Sequence, residues 1–443
     1  MKKTILLFTA VVLCLEASAQ WECPSRLGAT LKPIGSSDFM WSAEITGSAG
    51  WIKDNYAANT MVILGLNYGK GKNSFYVEGG LKAWTRGTDK QLSYSDDGGE
   101  TTTYKKDSRS SIMPGLREAF YRYSGEKNTF TLGLQSARSD DQYLLNERVV
   151  GANYTFRSNN LKLNVIGGSV MEAFARNGRF CTYGYLYNDI VAGRPRSYVG
   201  NDFGDTNMGM VTLTYTPTKS VDEFGGDQTS FLSLDKIGVA AYTEFGRGIT
   251  NTLAMGGLYS EITLGGVQLK PEILYQSSKN NNAIIYNFTA EKTFHWGDTQ
   301  ITRLYGQYVG YSAIDKGARP VNSFSNLFMG DALHQDVLEA PLMILGIKHS
   351  FTAIKTSVKL QGVMQTKASA MGGDYGFITD DYTSPLTKMK ELDMSVSKNF
   401  GRYLLVNALF GMLEFPTLEH TENVLHYNRI QTMYGRLEFR FTF

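Results

Sequence analysis

Residues 433–443 read M-Y-G-R-L-E-F-R-F-T-F and end the chain. Met433, Gly435, Leu437, Phe439, Phe441 and Phe443 hold one parity, and Tyr434, Arg436, Glu438, Arg440 and Thr442 hold the other. Successive side chains of a strand point to opposite faces, so the stretch predicts a strand with one apolar and one charged wall. Three Phe side chains on a strand exposed to water would invite aggregation. The arrangement makes sense when the apolar wall meets lipid and the charged wall meets a water-filled lumen.

The other end of the chain agrees. Lys2 and Lys3 precede a short apolar run, and Ala17-Ser18-Ala19 forms an A-x-A site before Gln20. This is the pattern of a secretory signal peptide over residues 1–19. A membrane-spanning helix needs about 20 apolar residues, more than this run supplies. Cys14 follows Leu13, where a lipidation motif wants a small residue, which argues against a lipid anchor. From Gln20 onward no long apolar segment occurs, which speaks against helical spans. Aromatic residues at 12% with 46 glycines suit strands of which one face is wet. The formal charge of +2 falls close to zero once Lys2, Lys3 and Glu16 leave, so no basic excess points to nucleic acid. Cys23 and Cys181 are too few for a disulfide framework; they could form one bridge after export, but the expected topology puts them at opposite ends and favours two free thiols.

Alternation recurs along the whole chain. After an irregular segment, residues 20–37, strands are expected at 38–48, 60–68, 75–84 and onward to the last one. Gly265-Gly266 marks a tight hairpin. Counting gives a closed antiparallel transmembrane β-barrel of about 18 strands over residues 38–443. Nearly every second connection is short, the rhythm of short periplasmic turns and long outer loops. The stretches 85–109, 171–207, 312–339, 366–388 and 414–428 read as connections. One connection, 216–235, is long where a short turn is due, so 16 or 20 strands stay open. A soluble sandwich fits less well. It would bury one face of every strand, and roughly 400 residues would split into several domains.

No motif for catalysis or a cofactor stands out. His295, His334, His349, His420 and His426 form no H-E-x-x-H, and no Cys/His pairing has metal-site spacing. What the pattern supplies is a polar inner wall. Alternation assigns Glu78, Lys82, Glu118, Arg122, Asn153, Lys270, Glu272, Lys355, Lys359, Gln361, Asp393, Arg436, Glu438 and Arg440 to it. Charges of both signs there would either orient solutes in a pore or pair up and hold the wall's shape. Arg176, Arg179, Arg194 and Arg196 share one long loop with Asp189, Asp202 and Asp205. Folded inward, that loop would narrow the lumen and present guanidinium groups to anions or sugar hydroxyls. Folded outward, it would touch lipopolysaccharide. Asp380 and Asp381 are either simply hydrated or offer carboxylates to Ca²⁺.

With aromatics two and four residues before it, Phe443 makes the C-terminus resemble that of Gram-negative outer-membrane β-barrels. The likeness implies that the barrel-assembly machinery reads this residue. By pattern and termini, the mature chain resembles the broad class of porins. That implies passive diffusion of small hydrophilic solutes (ions, sugars or organic anions), contact with outer-membrane lipid and lipopolysaccharide, and a homotrimer as one option. General porins narrow their pore with the third outer loop. The matching stretch here, 136–146, is short, although it carries Asp140 and Asp141, so any constriction is expected from elsewhere. Before the first strand the mature chain is too short for the plug of an energy-coupled transporter. Two rival expectations are a barrel enzyme acting on lipid or lipopolysaccharide and a non-conducting adhesin or scaffold.

Overall fold

The structure, a computed structural model, describes residues 31–34, 37–52, 55–88, 92–95, 101–104, 108–139, 144–170, 206–218, 231–246, 251–318, 328–329, 335–336, 341–366, 390–421 and 424–443. The strands in chain order are β1 (Phe39–Ile52), β2 (Asn55–Lys70), β3 (Asn73–Thr88), β4 (Ser108–Ser124), β5 (Asn128–Arg138) and β6 (Asn146–Arg157). There follow β7 (Leu161–Val170), β8 (Asn207–Tyr215), β9 (Leu232–Phe245), β10 (Leu253–Leu264), β11 (Val267–Ser277) and β12 (Ala283–Trp296). The last are β13 (Gln300–Ala313), β14 (Leu342–Phe351), β15 (Thr356–Gln365), β16 (Lys390–Phe400), β17 (Leu404–Thr421) and β18 (Val424–Thr442). Each pairs antiparallel with the next, and β18 returns to β1 from Glu44↔Thr442 to Ile52↔Tyr434. The barrel is therefore closed with 18 strands and has no open sheet edge, as a bilayer demands.

The outer wall is apolar where the alternation predicts. In the closing strand Met433, Leu437 and Phe439 are exposed, while Tyr434, Arg436 and Glu438 are buried on the inward face. Leu64 and Leu66 on β2, Val77 on β3, Leu258 on β10, Ile273 on β11 and Leu345 on β14 are exposed in the same way. Aromatic rings border this band. Near the short turns Phe39 packs on Tyr68 at 4.8 Å, Phe75 on Tyr121 at 5.1 Å and Tyr403 on Phe441 at 6.4 Å between centroids. Trp51 and Tyr56 face outward at the other end of the β1/β2 pair and are register partners. Twelve residues separate Phe39 from Trp51, about 40 Å along a strand and roughly 30 Å along the bilayer normal at the usual tilt. That is one membrane thickness between two belts of interfacial aromatics.

Four sequence-based boundaries shift. Alternation persists through Gly47 and Gly50, so β1 reaches Ile52 and β2 begins at Asn55. The polar stretch 85–109 is largely paired: β3 runs to Thr88, β4 starts at Ser108, and Leu92–Ser95 pairs with Thr101–Tyr104 between them. Of the stretch 414–428, expected to be a connection, residues 414–421 lie in β17 and 424–428 in β18, which pair as far as Thr421↔Val424. β8 and β9 pair directly from Asn207↔Phe245 to Tyr215↔Ile237, so no further strand pair stands between them in the barrel and the count of 16 or 20 falls away.

Candidate functional site

The inner wall is where chemistry can act on a solute. Glu78, Glu118, Glu272, Gln361, Asp393, Arg436 and Glu438 are buried on it. Arg122, Asn153, Lys270, Lys359 and Arg440 stand half-buried in the same parity. Lys82 is a residue of β3, opposite Met61, and its side chain lies outside the described residues. Lys355 does not belong to the wall. It sits in the turn between β14 and β15, exposed, with φ at 51°. The turn takes up residues 352–355, so alternation cannot be carried back across it from Thr356. Arg176, Arg179, Arg194 and Arg196 fall outside the described residues, as do Cys23, Cys181, Asp140, Asp141, Asp380 and Asp381.

One buried charge cluster contains a residue that alternation conceals. Arg117 donates from Nε to Glu78 Oε1 at 2.5 Å, and both side chains are fully buried. Its neighbour Glu118 is buried too, which simple alternation forbids. The cause is a β-bulge: Glu78 pairs with Glu118 while Gly79 pairs with Leu116, leaving Arg117 as the extra residue on β4. A bulge puts two residues against one and re-aims a side chain, here a guanidinium, into the wall. Tyr76 completes the group by donating to Glu78 Oε2 at 2.6 Å. Ser136 donates to Glu118 through its backbone N–H at 3.2 Å and through its hydroxyl.

A second network ties the wall across the closing seam. Tyr305 on β13 donates to Gln361 Oε1 on β15 at 2.8 Å, and Gln361 donates to Asp393 Oδ2 on β16 at 2.8 Å. Tyr434 on β18 donates to Asp393 Oδ1 at 2.6 Å. Arg436 Nε lies 2.7 Å from Glu438 Oε1, Asn407 donates to Glu438 Oε2 at 2.9 Å, and Arg440 faces Glu44 on β1 at 3.8 Å. A buried carboxylate is tolerated only when donors surround it, and Asp393 receives two of them.

One sector carries the opposite sign. Arg303, Lys348 and Lys359 are in register on β13, β14 and β15, as Arg303↔Lys348 and Lys348↔Lys359. Directly opposed like charges on adjacent strands repel, so the row is costly unless anions are near. Glu291 pairs with Arg303 at one end of it. Of these cations alternation singled out Lys359 alone. Only the strand register reveals the row.

The wall is not polar throughout. Ile166, Met208, Met210, Tyr242, Leu253, Met255, Leu274, Ile285, Val309, Leu342, Ile344 and Val363 form one buried apolar cluster on consecutive strands from β7 to β15. Most of them sit toward the strand ends that carry the longer connections. Leu144 and Leu145, from the connection between β5 and β6, join the cluster at 1% and 0% exposure. Ser139 fixes this connection, its N–H donating to Leu145 O at 2.8 Å. Short as 136–146 is, it thus contributes two side chains to this apolar sector. The signal was present in the sequence as lost alternation: Ile284-Ile285 and 342–345, L-M-I-L, are apolar on both faces.

No protein-family model matches the sequence, and no curated protein does. The fold is similar to two solved structures from Pseudomonas aeruginosa. OpdQ aligns at 12% identity with a TM-score of 0.52, over 93% of this chain and 99% of that one. OccK7 (OpdD) aligns at 12% identity with a TM-score of 0.51, over 92% of this chain and 99% of that one. The chain has the fold of an outer-membrane porin. At this identity the likeness is one of architecture, and side-chain roles come from this chain alone. Among the described residues no helix is long and apolar enough to cross a membrane. The apolar belt faces outward, as on a barrel that sits in a bilayer.

Proposed function

We propose that the protein is a passive diffusion channel for small hydrophilic solutes: ions, sugars or organic anions. The observation that carries this reading is the closed 18-strand wall, lipid-facing outside and lined inside by hydrogen-bonded charges of both signs. Selection would follow lumen width and the placement of charges along the wall. The same reading takes residues 1–19 as a cleaved signal peptide, 20–37 as a short periplasmic segment and 38–443 as the barrel. It takes Phe443 as the residue met by the assembly machinery, lipopolysaccharide as the outer-leaflet contact and a homotrimer as the assembly to look for. It assigns no catalytic role, and it keeps Arg176, Arg179, Arg194 and Arg196 as candidates for a constriction.

The purified protein in planar bilayers tests this. Stepwise, ohmic conductance is expected. Lys359→Glu should shift the reversal potential in a salt gradient toward cation preference, changing the permeability ratio roughly twofold. A folded protein that inserts without conducting would overturn the reading. The buried apolar cluster with Leu144 and Leu145 would then favour the second one, a non-conducting surface scaffold with a filled barrel.

A further inference from the structure

Several inward tyrosines do not point toward the barrel axis. Each lies across a glycine on the adjacent strand and reaches a polar group one strand further. Tyr305 is the register partner of Gly346, which is the partner of Gln361, the acceptor of the Tyr305 hydroxyl. Tyr434 is the partner of Gly411, which is the partner of Asp393, its own acceptor. Tyr259 is the partner of Gly238, which is the partner of Thr214, whose hydroxyl lies 2.5 Å from the Tyr259 hydroxyl. At Gly346 and Gly238 an added Cβ would lie 2.3 Å from the tyrosine Cζ, and at Gly411 it would lie 2.4 Å from Tyr434 Cε1 and 2.3 Å from Leu392 O, too close in every case. Glycine inside a strand is otherwise unfavourable, having no side chain to pack, and often marks a close approach. Here the approaching group is an aromatic ring lying flat, the packing that rescues glycine in sheets.

We infer that the pairs of Tyr305 with Gly346 and Tyr434 with Gly411, joined through Gln361 and Asp393, set the free width of the lumen along β13 to β18. This rests on the channel reading and adds positioning residues to it. A tyrosine standing up from a strand projects roughly perpendicular to the sheet, into the lumen. Laid over glycine, it takes up wall thickness instead. The hydrogen bonds hold it down: Asp393 accepts from Tyr434 on one side and from Gln361 on the other, so the belt spans six strands with one carboxylate at its centre.

Single-channel conductance of Gly346→Val, beside wild type, is the test. The valine evicts the Tyr305 ring into the lumen, and conductance should fall roughly 1.5- to 2-fold. Adding Tyr305→Ala should restore it, because the obstructing ring is gone while the valine remains. Should Gly346→Val fail to assemble, Tyr305→Phe serves. It keeps the ring, removes the bond to Gln361, and should raise open-channel current noise. Unchanged conductance in assembled Gly346→Val, no rescue by the double variant, or a silent Tyr305→Phe overturns the inference. A wild-type protein that does not conduct overturns the channel reading instead. The ring position is then read without current by Tyr305→Trp. Its fluorescence should be quenched more by acrylamide with Gly346→Val than without it, and equal quenching overturns the inference.

Discussion

Arg117 is fully buried in a wall where alternation would turn it toward lipid. Its guanidinium is matched by Glu78, whose other oxygen is held by Tyr76. Breaking a buried pair by removing one member strands the other charge, a loss of about 3–5 kcal/mol, whereas removing both members costs far less. Arg117→Met should therefore destabilise the folded barrel by that order in urea titrations from lipid vesicles, and adding Glu78→Gln should recover part of the loss. Equal losses for the single and double variants would show that the pair is not coupled. At this scale the sequence was legible in part. Parity places Glu78, Asp393, Arg436 and Glu438 inward, their own strands being regular around them, and Glu118 inward when counted from the regular stretch that follows it. Arg117 was hidden by one extra residue, and Lys355 was misplaced by a turn whose extent depends on how β14 meets β15.

At the scale of elements, the connection between β5 and β6 packs two described residues against the apolar sector. Leu144 and Leu145 close against the apolar sector, with Ser139 bonded to Leu145. Apolar side chains in a water-filled lumen narrow it and exclude water. Leu144→Ser with Leu145→Ser should raise single-channel conductance about twofold, since hydroxyls hydrate where isobutyl groups pack. An unchanged current would place the narrowest point elsewhere. The elements themselves were largely readable, since every strand shows alternation over part of its length. Their ends were less so. Residues 414–428 look polar and mixed, yet β17 and β18 continue through them, because hairpin pairing continues beyond the lipid where no apolar face is required.

For the whole molecule the governing fact is which wall meets lipid. Leu437 is 55% exposed on the outer face while its neighbours Arg436 and Glu438 are buried within. Leu437→Arg should be destabilising, by up to about 2–4 kcal/mol, the penalty for a cation on the lipid face, which is largest at mid-bilayer. It would be read as a lower urea midpoint and a smaller folded, fast-migrating fraction on unheated gels. A neutral outcome would mean that this face is covered by protein rather than lipid.

The sequence by itself determined the class of fold, the parity of the faces and the strand number to within a pair. These follow from a period of two residues repeated along the chain, which needs no knowledge of neighbours. Tertiary structure alone decided what lies beside what: the bulge that turns Arg117 inward, the row of Arg303, Lys348 and Lys359, and the tyrosines laid over Gly346 and Gly411. The reason is physical. Periodicity sets which way a side chain points, but only the register between strands sets its height on the wall, and on that height its partners depend.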